Sequence, residues 1–371
     1  MKILLIDNIE NQLLDLKQEL LKSRAKFAHV TGLHAAVSAL SQHQFNIVVC
    51  AAQIDDSDGR SVLEMMAKKF PKIVRILIDA DDKASQGIAH YCFALPIESK
   101  VIINTISKLA GNNQAITKDI IVKTVANIKT LPSPPKVYMQ LNAVLKEANT
   151  DSSKIAQIIQ QDPALTAKVL QFSNNTFATT GKPMMSISDA ITKMGLDTLC
   201  CIVMTAELFS YNPKIKDFSI LDEQLHSLAT AKLAASMVKA ELKQDAMIAG
   251  LLHDLGKVVL FEVNEKSTAL FFKHRIKDGN NMALENKIFA IDHCHVGGYL
   301  LHTWGFSYQI IEAIILHHRA DKLKQKNFGI AQAVYLANIL IHKQTPDPEF
   351  IAHYKLAGVL DALTQRAAKL I

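Results

Sequence analysis

The stretch Ala249-Gly-Leu-Leu-His-Asp-Leu-Gly-Lys257 places a histidine and an aspartate side by side inside an apolar run. Apolar residues continue on both sides, and their spacing predicts one core helix over Gln244–Val263. Burying an imidazole and a carboxylate is costly unless they bond to each other, to neighbours or to a metal ion. His253 and Asp254 therefore need partners, and the helical part of the chain is organised around them.

The length and composition indicate a globular protein of two or three domains. The chain has 371 residues, of which 49% are hydrophobic and 20% charged, enough for packed cores rather than disorder. The net charge of +6 permits contact with nucleic acid, but no basic run is interleaved with aromatic residues. We therefore interpret the charge as solvated surface and expect no nucleic-acid partner.

Cysteine usage and the N-terminal sequence predict the compartment. Reduced thiols are the simplest interpretation of five cysteines without metal-type spacing: Cys50, Cys92, Cys200, Cys201 and Cys294. The chain begins with an apolar strand and lacks a signal-type leader, and no stretch reaches the roughly 18 apolar residues that span a bilayer. We expect a cytoplasmic protein with no membrane segment.

Strand and helix patterns alternate over residues 1–110. Short continuous apolar runs, each followed by a segment with helical apolar spacing, lie at 3–6, 27–30, 46–50, 74–78 and 91–94. Continuous rather than alternating apolar strands indicate a parallel sheet covered on both faces. The prediction is a doubly wound, five-stranded α/β domain of flavodoxin type, with any site at the carboxyl ends of its strands.

Residues 1–110 resemble the receiver domain of bacterial two-component signalling, through Asp7 after the first strand, Asp58-Gly59 after the third and Pro96 after the fifth. The resemblance implies an acidic pair, a phosphoacceptor aspartate, a hydroxyl and a lysine. The matching positions hold Asp7-Asn8, Ala51, Asp79 and Leu95. Because the methyl group of Ala51 offers no nucleophile, we expect a pseudo-receiver that is not phosphorylated. Its surface would serve protein contact or homodimerisation.

The remainder of the chain is predicted to be helical. The polar stretch Gly111-Asn112-Asn113-Gln114 breaks the helical pattern, so a linker is expected over 111–119. Amphipathic segments then predict ten or more helices in an all-α domain over 120–371, too many for a four-helix bundle. Apolar residues in the tail predict a last helix that closes the core or supports a dimer: Leu356, Val359, Leu360 and Leu363.

From about Ile120 to Ala333 the chain resembles the HDOD family. The motifs are Leu-Pro-Ser-Pro-Pro at 131–135, Gln-Asp-Pro-Ala-Leu-Thr-Ala-Lys-Val-Leu at 161–170, Ser173-Asn174, Ala190-Ile191 and Met194-Gly195-Leu196. That family is related to the HD metal-dependent phosphohydrolases and occurs in bacterial signalling proteins, often fused to receiver domains. The resemblance implies an HD-related helical fold.

The resemblance also implies where an HD-type metal site would lie. Its ligands are a histidine, an adjacent His-Asp pair and a later aspartate, and the matching residues are His226, His253-Asp254 and Asn338. The neutral amide of Asn338 is a poorer ligand for a dication than a carboxylate. Residues at positions where the wider superfamily contacts a second metal or a phosphate are Lys257, His293, His295, His317 and His318.

Two interpretations of these residues remain open. In the first, His226, His253 and Asp254 form a buried hydrogen-bonded cluster in which Asp254 fixes the tautomer of an imidazole. In the second, they hold a divalent metal ion. We adopt the first, with no cofactor, and expect Lys257 to extend to the surface and His317-His318 to end a helix.

The leading hypothesis is a bacterial signalling protein that acts by contact with other signalling proteins rather than by turnover. The alternative is an HD-type metal-dependent phosphohydrolase or phosphodiesterase that acts on a nucleotide. The Gly-Tyr-Pro signature of the cyclic-dinucleotide phosphodiesterases is absent, because Gly298-Tyr299 is followed by Leu300. A third hypothesis is that the helical domain binds a nucleotide or metabolite without hydrolysing it.

Overall fold

The structure, a computed structural model, describes residues 2–8, 10, 12–55, 57–79, 88–96, 98–126, 135–145, 152–176, 183–208, 215–276 and 279–370. Its backbone divides into two compact units, Met1–Val122 with Gly298–Ile311, and Lys123–Gly297 with Glu312–Ile371. A boundary over 111–119 remains a prediction. Among the described helices, none combines the length and the apolar character that crossing a membrane requires.

The first unit is built on a five-stranded parallel sheet, which confirms the predicted α/β class. Its elements along the chain are β1 (Lys2–Asp7), α1 (Leu14–Lys22), β2 (Lys26–Thr31), α2 (Gly32–Gln42), β3 (Ile47–Ala51), β4 (Gln53–Ile54), β5 (Ser57–Asp58), α3 (Gly59–Lys69), β6 (Val74–Asp79), β7 (Tyr91–Ala94) and α4 (Ser99–Ile116). The sheet has the order β2-β1-β3-β6-β7, and β4 and β5 form a separate short antiparallel pair. Every neighbouring pair in the large sheet is parallel.

Alternate residues of the central strands enter two apolar cores, one on each face of the sheet. On β1, Leu4 and Ile6 belong to one core and Ile3 and Leu5 to the other, and all four are fully buried. This is why the strands read as continuous apolar runs instead of alternating ones. The carboxyl ends of β1, β3 and β6 lie beside each other in the sheet, since β1 pairs with β3 and β3 with β6.

The helix α4 runs through the polar stretch that was predicted to end it. The predicted end of the helix at Gly111 was wrong, because α4 continues to Ile116. A single Gly costs a helix only about 1 kcal/mol, and asparagine and glutamine are tolerated, so a polar stretch alone does not stop a helix. The predicted helix over 83–89 lies almost wholly outside the described residues, as does most of the proline-rich corner at 131–135.

The described part of the chain beyond α4 is mainly helical, as predicted. Its helices are α5 (Asp119–Ala126), α6 (Lys136–Leu145), α7 (Ser152–Gln160), α8 (Pro163–Thr176), α9 (Ile187–Met194), α10 (Leu196–Leu208), α11 (Ile220–Ala235), α12 (Lys243–Leu252), α13 (Leu255–Glu262), α14 (Glu265–His274), α15 (Met282–Phe289), α16 (His293–Thr303), α17 (Tyr308–Leu316), α18 (Ile330–Ile341), α19 (Pro348–His353) and α20 (Leu360–Ala368). Within the second unit, α11, α12 and α18 pack against one another.

The predicted single helix over Gln244–Val263 is instead two helices, α12 and α13. The break falls on His253 and Asp254, where Asp254 leaves the helical region with φ −104° and ψ 6°. The sequence prediction was wrong here because the apolar spacing continues through the break. At this break the side chains of His253 and Asp254 are both buried and approach to 3.0 Å.

The tail helix has a different buried face from the predicted one. Leu356, Leu360 and Leu363 are half-buried and Val359 is 49% exposed, so these residues do not close the core. Ala367 is the buried residue of α20, which contacts α11 and α18. The suggestion that this helix supports a dimer remains a prediction.

Candidate metal site

The second unit brings six of the predicted site residues together around Asp254. The helix α11 supplies His226, the α12–α13 break supplies His253 and Asp254, and α18 supplies Asn338. The first residue of α16 and the two residues that follow α17 complete the set, which we call the His-Asp cluster: His226, His253, Asp254, His293, His317, His318 and Asn338. The liganding atoms of its members fall into two groups, each within 4.8 Å: Asp254, His293, His317, His318; and His226, His253, Asp254.

Asp254 lies at the centre of the cluster and each of its oxygens faces a different group of imidazoles. Its Oδ2 atom is 3.0 Å from Nε2 of His253 and 3.7 Å from Nε2 of His226. Its Oδ1 atom is 3.2 Å from Nε2 of His293 and 3.4 Å from Nε2 of His317. Asp254 is 1% exposed, so its charge lies in a low-dielectric interior.

The Nδ1 atoms of the three inner histidines are already engaged by acceptors. His253 donates from Nδ1 to the carbonyl of Gly250 at 2.7 Å, and His317 donates from Nδ1 to the carbonyl of Ile314 at 2.7 Å. His293 donates from Nδ1 to Oε2 of Glu285, also at 2.7 Å. A neutral imidazole has one N–H, so these bonds leave a lone pair on Nε2 of each ring.

The inner cluster therefore holds acceptors that face one another, beside two donors: Lys257 bonds to Oδ2 of Asp254, and the thiol of Cys294 lies 3.4 Å from Nε2 of His293. Nε2 of His293 and of His317 are 3.2 Å apart, and both face Oδ1 of Asp254, which has no hydrogen-bond partner in the described structure. Buried acceptors that face each other are costly unless a cation lies between them. Histidines anchored through Nδ1 on carbonyls or carboxylates, with Nε2 directed inward, are the arrangement found around protein-bound metals. The residues present fit a divalent ion.

Protons and metal ions compete for these nitrogens. Burial lowers the pKa of His317 to about 4 and holds the pKa of His318 and of His226 well below the usual value. Burial also lowers the pKa of His293, but Cys294, Glu285 and Asp254 raise it by more than burial lowers it. The pKa of His293 therefore lies well above the usual value. Without a metal, a proton on Nε2 of His293 is the cation that this group of acceptors would take.

Lys257 lies beside the cluster and does not extend to the surface, contrary to the prediction. Its ammonium is 2.5 Å from Oδ2 of Asp254 and 3.4 Å from Oε1 of Glu223, and its side chain is 19% exposed. Burial raises the pKa of Glu223 to about 7. Burial also raises the pKa of Asp254, but His253 and Lys257 lower it by more, so the carboxylate stays ionised.

Comparison with known proteins identifies the helical region. The sequence profile of the HDOD domain matches residues 131–320, which is just over half of the chain. The chain belongs to the HDOD family. An uncharacterized protein of Treponema pallidum (strain Nichols) is 25% identical over 307 residues, 78% of this chain and 55% of that protein. This chain thus spans about half the length of that curated relative.

Solved structures share the fold of this HDOD protein. A candidate phosphohydrolase from Shewanella amazonensis SB2B is 20% identical, with a TM-score of 0.53 over 69% of this chain and 95% of that one. A candidate signal transduction protein from Marinobacter aquaeolei VT8 is 18% identical, with a TM-score of 0.54 over 70% of this chain and 65% of that one. At these identities the similarity shows the fold alone.

Of the remaining predicted residues in the HDOD region, some belong to the His-Asp cluster and one does not. His295 lies outside the cluster: it is 26% exposed and its Nδ1 bonds to Oδ1 of Asp292 at 2.7 Å. His317 and His318 do follow the end of α17, as predicted, but His317 is fully buried and both belong to the cluster. The predicted role of Asp254 in fixing a tautomer is wrong, because carbonyls and Glu285 do so.

Sequence reasoning missed Glu285 and Glu223. Glu285 is 1% exposed on α15 and its Oε2 also accepts a bond from the backbone N–H of His293 at 2.9 Å. The sequence carries one signal for it: Met282, Glu285 and Phe289 follow helical spacing, so a carboxylate stands where an apolar residue is expected. Glu223, one turn before His226 on the same helix, lies among exposed residues and gave no such signal.

In the first unit, two of the residues predicted to occupy the positions of a receiver site end neighbouring strands, β1 and β3. Asp7 ends β1, fully buried, and its oxygens accept bonds from the N–H groups of Asn8 at 2.9 Å and Leu13 at 3.0 Å. Ala51 ends β3 and is fully buried. Leu95 is 42% exposed. Asp79 ends β6, and its side chain lies outside the described part of the structure.

Proposed function

We propose that this HDOD protein is a signalling protein whose helical region binds a divalent metal ion at the His-Asp cluster. One observation carries the proposal: the Nε2 lone pairs of His253, His293 and His317 converge on both oxygens of buried Asp254. A cluster kept for packing would direct a donor at each carboxylate oxygen. Here Lys257 donates to Oδ2, but Oδ1 faces only the lone pairs of His293 and His317, so a cation is the missing partner at that oxygen.

The receiver-like unit is proposed to act by contact with another signalling protein and not by accepting a phosphoryl group. A methyl group at Ala51 cannot attack phosphorus. The buried carboxylate of Asp7 accepts two backbone bonds that hold the turn after β1, which is a structural use of that residue. Homodimerisation through this unit is the second form of contact that the proposal includes.

A second candidate function is hydrolysis of a phosphoester in a nucleotide, and Lys257 is the observation that favours it. A divalent ion at such a site supplies Lewis-acid activation of a phosphoryl group when it is bound. The ammonium of Lys257, at 2.5 Å from Asp254, would attract phosphate oxygens near the ion. Lys257 already bonds to Asp254 and Glu223, and both carboxylates must release it before it meets a substrate. For this reason we place the signalling function before hydrolysis.

Thermal melts with added metal test the metal proposal. After chelator treatment and its removal, Mn²⁺ or Zn²⁺ should raise the melting temperature of the wild type, since an ion at 100 times its Kd stabilises the fold by about 2.7 kcal/mol. Asp254→Asn removes the central charge and should abolish the shift. The matched control Asp321→Asn changes an exposed carboxylate and should keep it. Equal responses of wild type and Asp254→Asn would refute the proposal.

The contact hypothesis for the receiver-like unit is tested by a phosphorylation assay. Incubation with acetyl phosphate and Mg²⁺ followed by intact mass should show no phosphoryl adduct in the receiver-like unit, and a stable adduct there would overturn the contact hypothesis.

To test hydrolysis, metal-loaded protein is assayed with bis(p-nitrophenyl) phosphate, with metal-depleted protein and Asp254→Asn as controls. Metal-dependent release of nitrophenol that both controls lack would establish the second candidate function.

A further inference from the structure

The two oxygens of Asp254 define two half-sites that differ in charge. We call the set His226, His253, Asn338 and Oδ2 of Asp254 the amide half-site. The set His293, His317, His318 and Oδ1 of Asp254 is the histidine half-site. We propose that this protein binds a single metal ion and that the ion occupies the histidine half-site. The inference rests on the proposed metal binding and says where in the cluster that binding occurs.

In the amide half-site, a cation is already present. Lys257 places its ammonium 2.5 Å from Oδ2 of Asp254, so that oxygen is neutralised before any metal arrives. A dication beside this ammonium would meet like-charge repulsion in an interior where charges are poorly screened. The carboxylate at this half-site therefore contributes little net negative charge.

The other ligands of the amide half-site weaken it further. Asn338 supplies a neutral amide, a poorer partner for a dication than a carboxylate. Its Oδ1 atom is 3.0 Å from Nε2 of His226, and since a carbonyl oxygen can only accept, this Nε2 carries the hydrogen. That nitrogen has no lone pair to offer a metal until the ring changes tautomer. Two of the four groups are thus unsuited to a divalent ion.

The histidine half-site has the opposite properties. Oδ1 of Asp254 is buried and has no hydrogen-bond partner among the described residues, so its full acceptor capacity faces the three imidazoles. His293 donates from Nδ1 to Glu285 at 2.7 Å, and a carboxylate behind a histidine orients the ring and makes its other nitrogen a better ligand. Glu285 is itself 1% exposed, so its charge is not screened by water.

Charge and ligand type therefore both favour the histidine half-site. Three imidazoles and one carboxylate oxygen supply a four-ligand set, and a buried carboxylate outside it adds a second negative charge. Nitrogen-rich sets of this kind suit Zn²⁺, Fe²⁺ and Mn²⁺ better than Mg²⁺, which prefers oxygen ligands. The amide half-site would fill only if the ammonium of Lys257 and the neutral amide of Asn338 were replaced.

Metal stoichiometry after equilibrium dialysis tests the inference. Wild-type protein dialysed against Zn²⁺ or Mn²⁺ alone, then measured by inductively coupled plasma mass spectrometry, should hold one ion per chain. His317→Ala should lose that ion, and His226→Ala should keep it. His295→Ala, outside the cluster, is the matched control. Asn338→Asp combined with Lys257→Met should raise the content to two.

The outcomes separate this inference from the proposed function. Two ions in the wild type, or one ion that His226→Ala loses and His317→Ala keeps, would overturn the half-site assignment and leave metal binding intact. No ion in the wild type would overturn both. X-ray absorption of the loaded wild type avoids any folding defect of the variants: three imidazoles and one oxygen ligand are expected, and a two-imidazole shell contradicts the assignment.

Discussion

At the scale of single residues, hydrogen-bond polarity decides the chemistry of the His-Asp cluster. The same histidines with their N–H groups turned inward would form an ordinary buried network around Asp254. The bonds from His253 to Gly250, from His317 to Ile314 and from His293 to Glu285 turn the N–H groups outward instead. The sequence could predict the residue types but not the direction of these hydrogen bonds, because the acceptors are backbone carbonyls or a side chain on another helix.

Glu285→Gln tests the polarity argument with minimal change of shape. The amide oxygen can still accept the backbone N–H of His293, so the fold should persist, but the charge behind the imidazole is lost. Metal affinity should fall by about 10- to 100-fold, the usual effect of losing such a partner. Titration calorimetry with Zn²⁺ measures it, and Glu265→Gln, an exposed carboxylate on α14, should leave the affinity unchanged. An unaltered affinity in Glu285→Gln would contradict the role given to this carboxylate.

At the scale of elements, the break between α12 and α13 and the contact of α13 with α16 place the ligands. A Cβ atom at Gly256 would lie 1.9 Å from the carbonyl oxygen of His293 and 2.7 Å from the N–H of Gly297. The absence of a side chain at this position therefore lets α13 reach the first turn of α16. The helix after Asp254 and the helix that begins at His293 can then share one site.

Gly256→Ala should separate these helices, because both clashing atoms belong to the backbone and cannot rotate away. We expect a loss of about 1–3 kcal/mol in the free energy of unfolding, the usual cost of overpacking, together with weaker metal binding. Gly358→Ala, where a Cβ meets nothing within 4 Å, is the control and should change stability by no more than about 0.5 kcal/mol. Chemical denaturation measures both, and equal curves for the two variants would contradict the packing argument.

The elements also show where sequence patterns fail. The five strands of the large sheet were predictable within one residue because each is a short apolar run, and β7 matches its predicted bounds, 91–94. The short strands β4 and β5 were not predicted, because neither is an apolar run. The split of α12 from α13 was not predictable in this way, since the apolar spacing continues through the break at His253 and Asp254. Arg75, fully buried on β6, interrupts a run that the prediction treated as wholly apolar.

At the scale of the whole molecule, acid should destabilise the fold through buried neutral histidines. In the first unit, His90 accepts from the N–H of Arg75 and donates to the carbonyl of His302, both at 2.9 Å, and the two rings stack at 4.1 Å. Burial, with Arg75 nearby, lowers the pKa of His302 to about 3. Below its ordinary pKa of about 6.5, the unfolded chain takes up this proton and the folded chain does not.

The stability of the wild type should therefore fall as the pH drops below about 6.5, by up to about 1.4 kcal/mol per pH unit for each such histidine. His302→Gln removes one of them and should give a shallower decline in urea unfolding between pH 7.5 and 5. His274→Gln, at an exposed position on α14, should follow the wild type. Parallel declines in wild type and His302→Gln would show that this histidine does not titrate as argued.

The central claim is that a metal ion lies at the His-Asp cluster, and crystallography at a metal absorption edge tests it most directly. Crystals grown without chelators and with Zn²⁺ supplied should show an anomalous difference peak about 2.0–2.1 Å from Nε2 of His293 and of His317, the usual Zn–N distance. A density map with Asp254, His293 and His317 ordered around the same site but no anomalous peak would contradict the account.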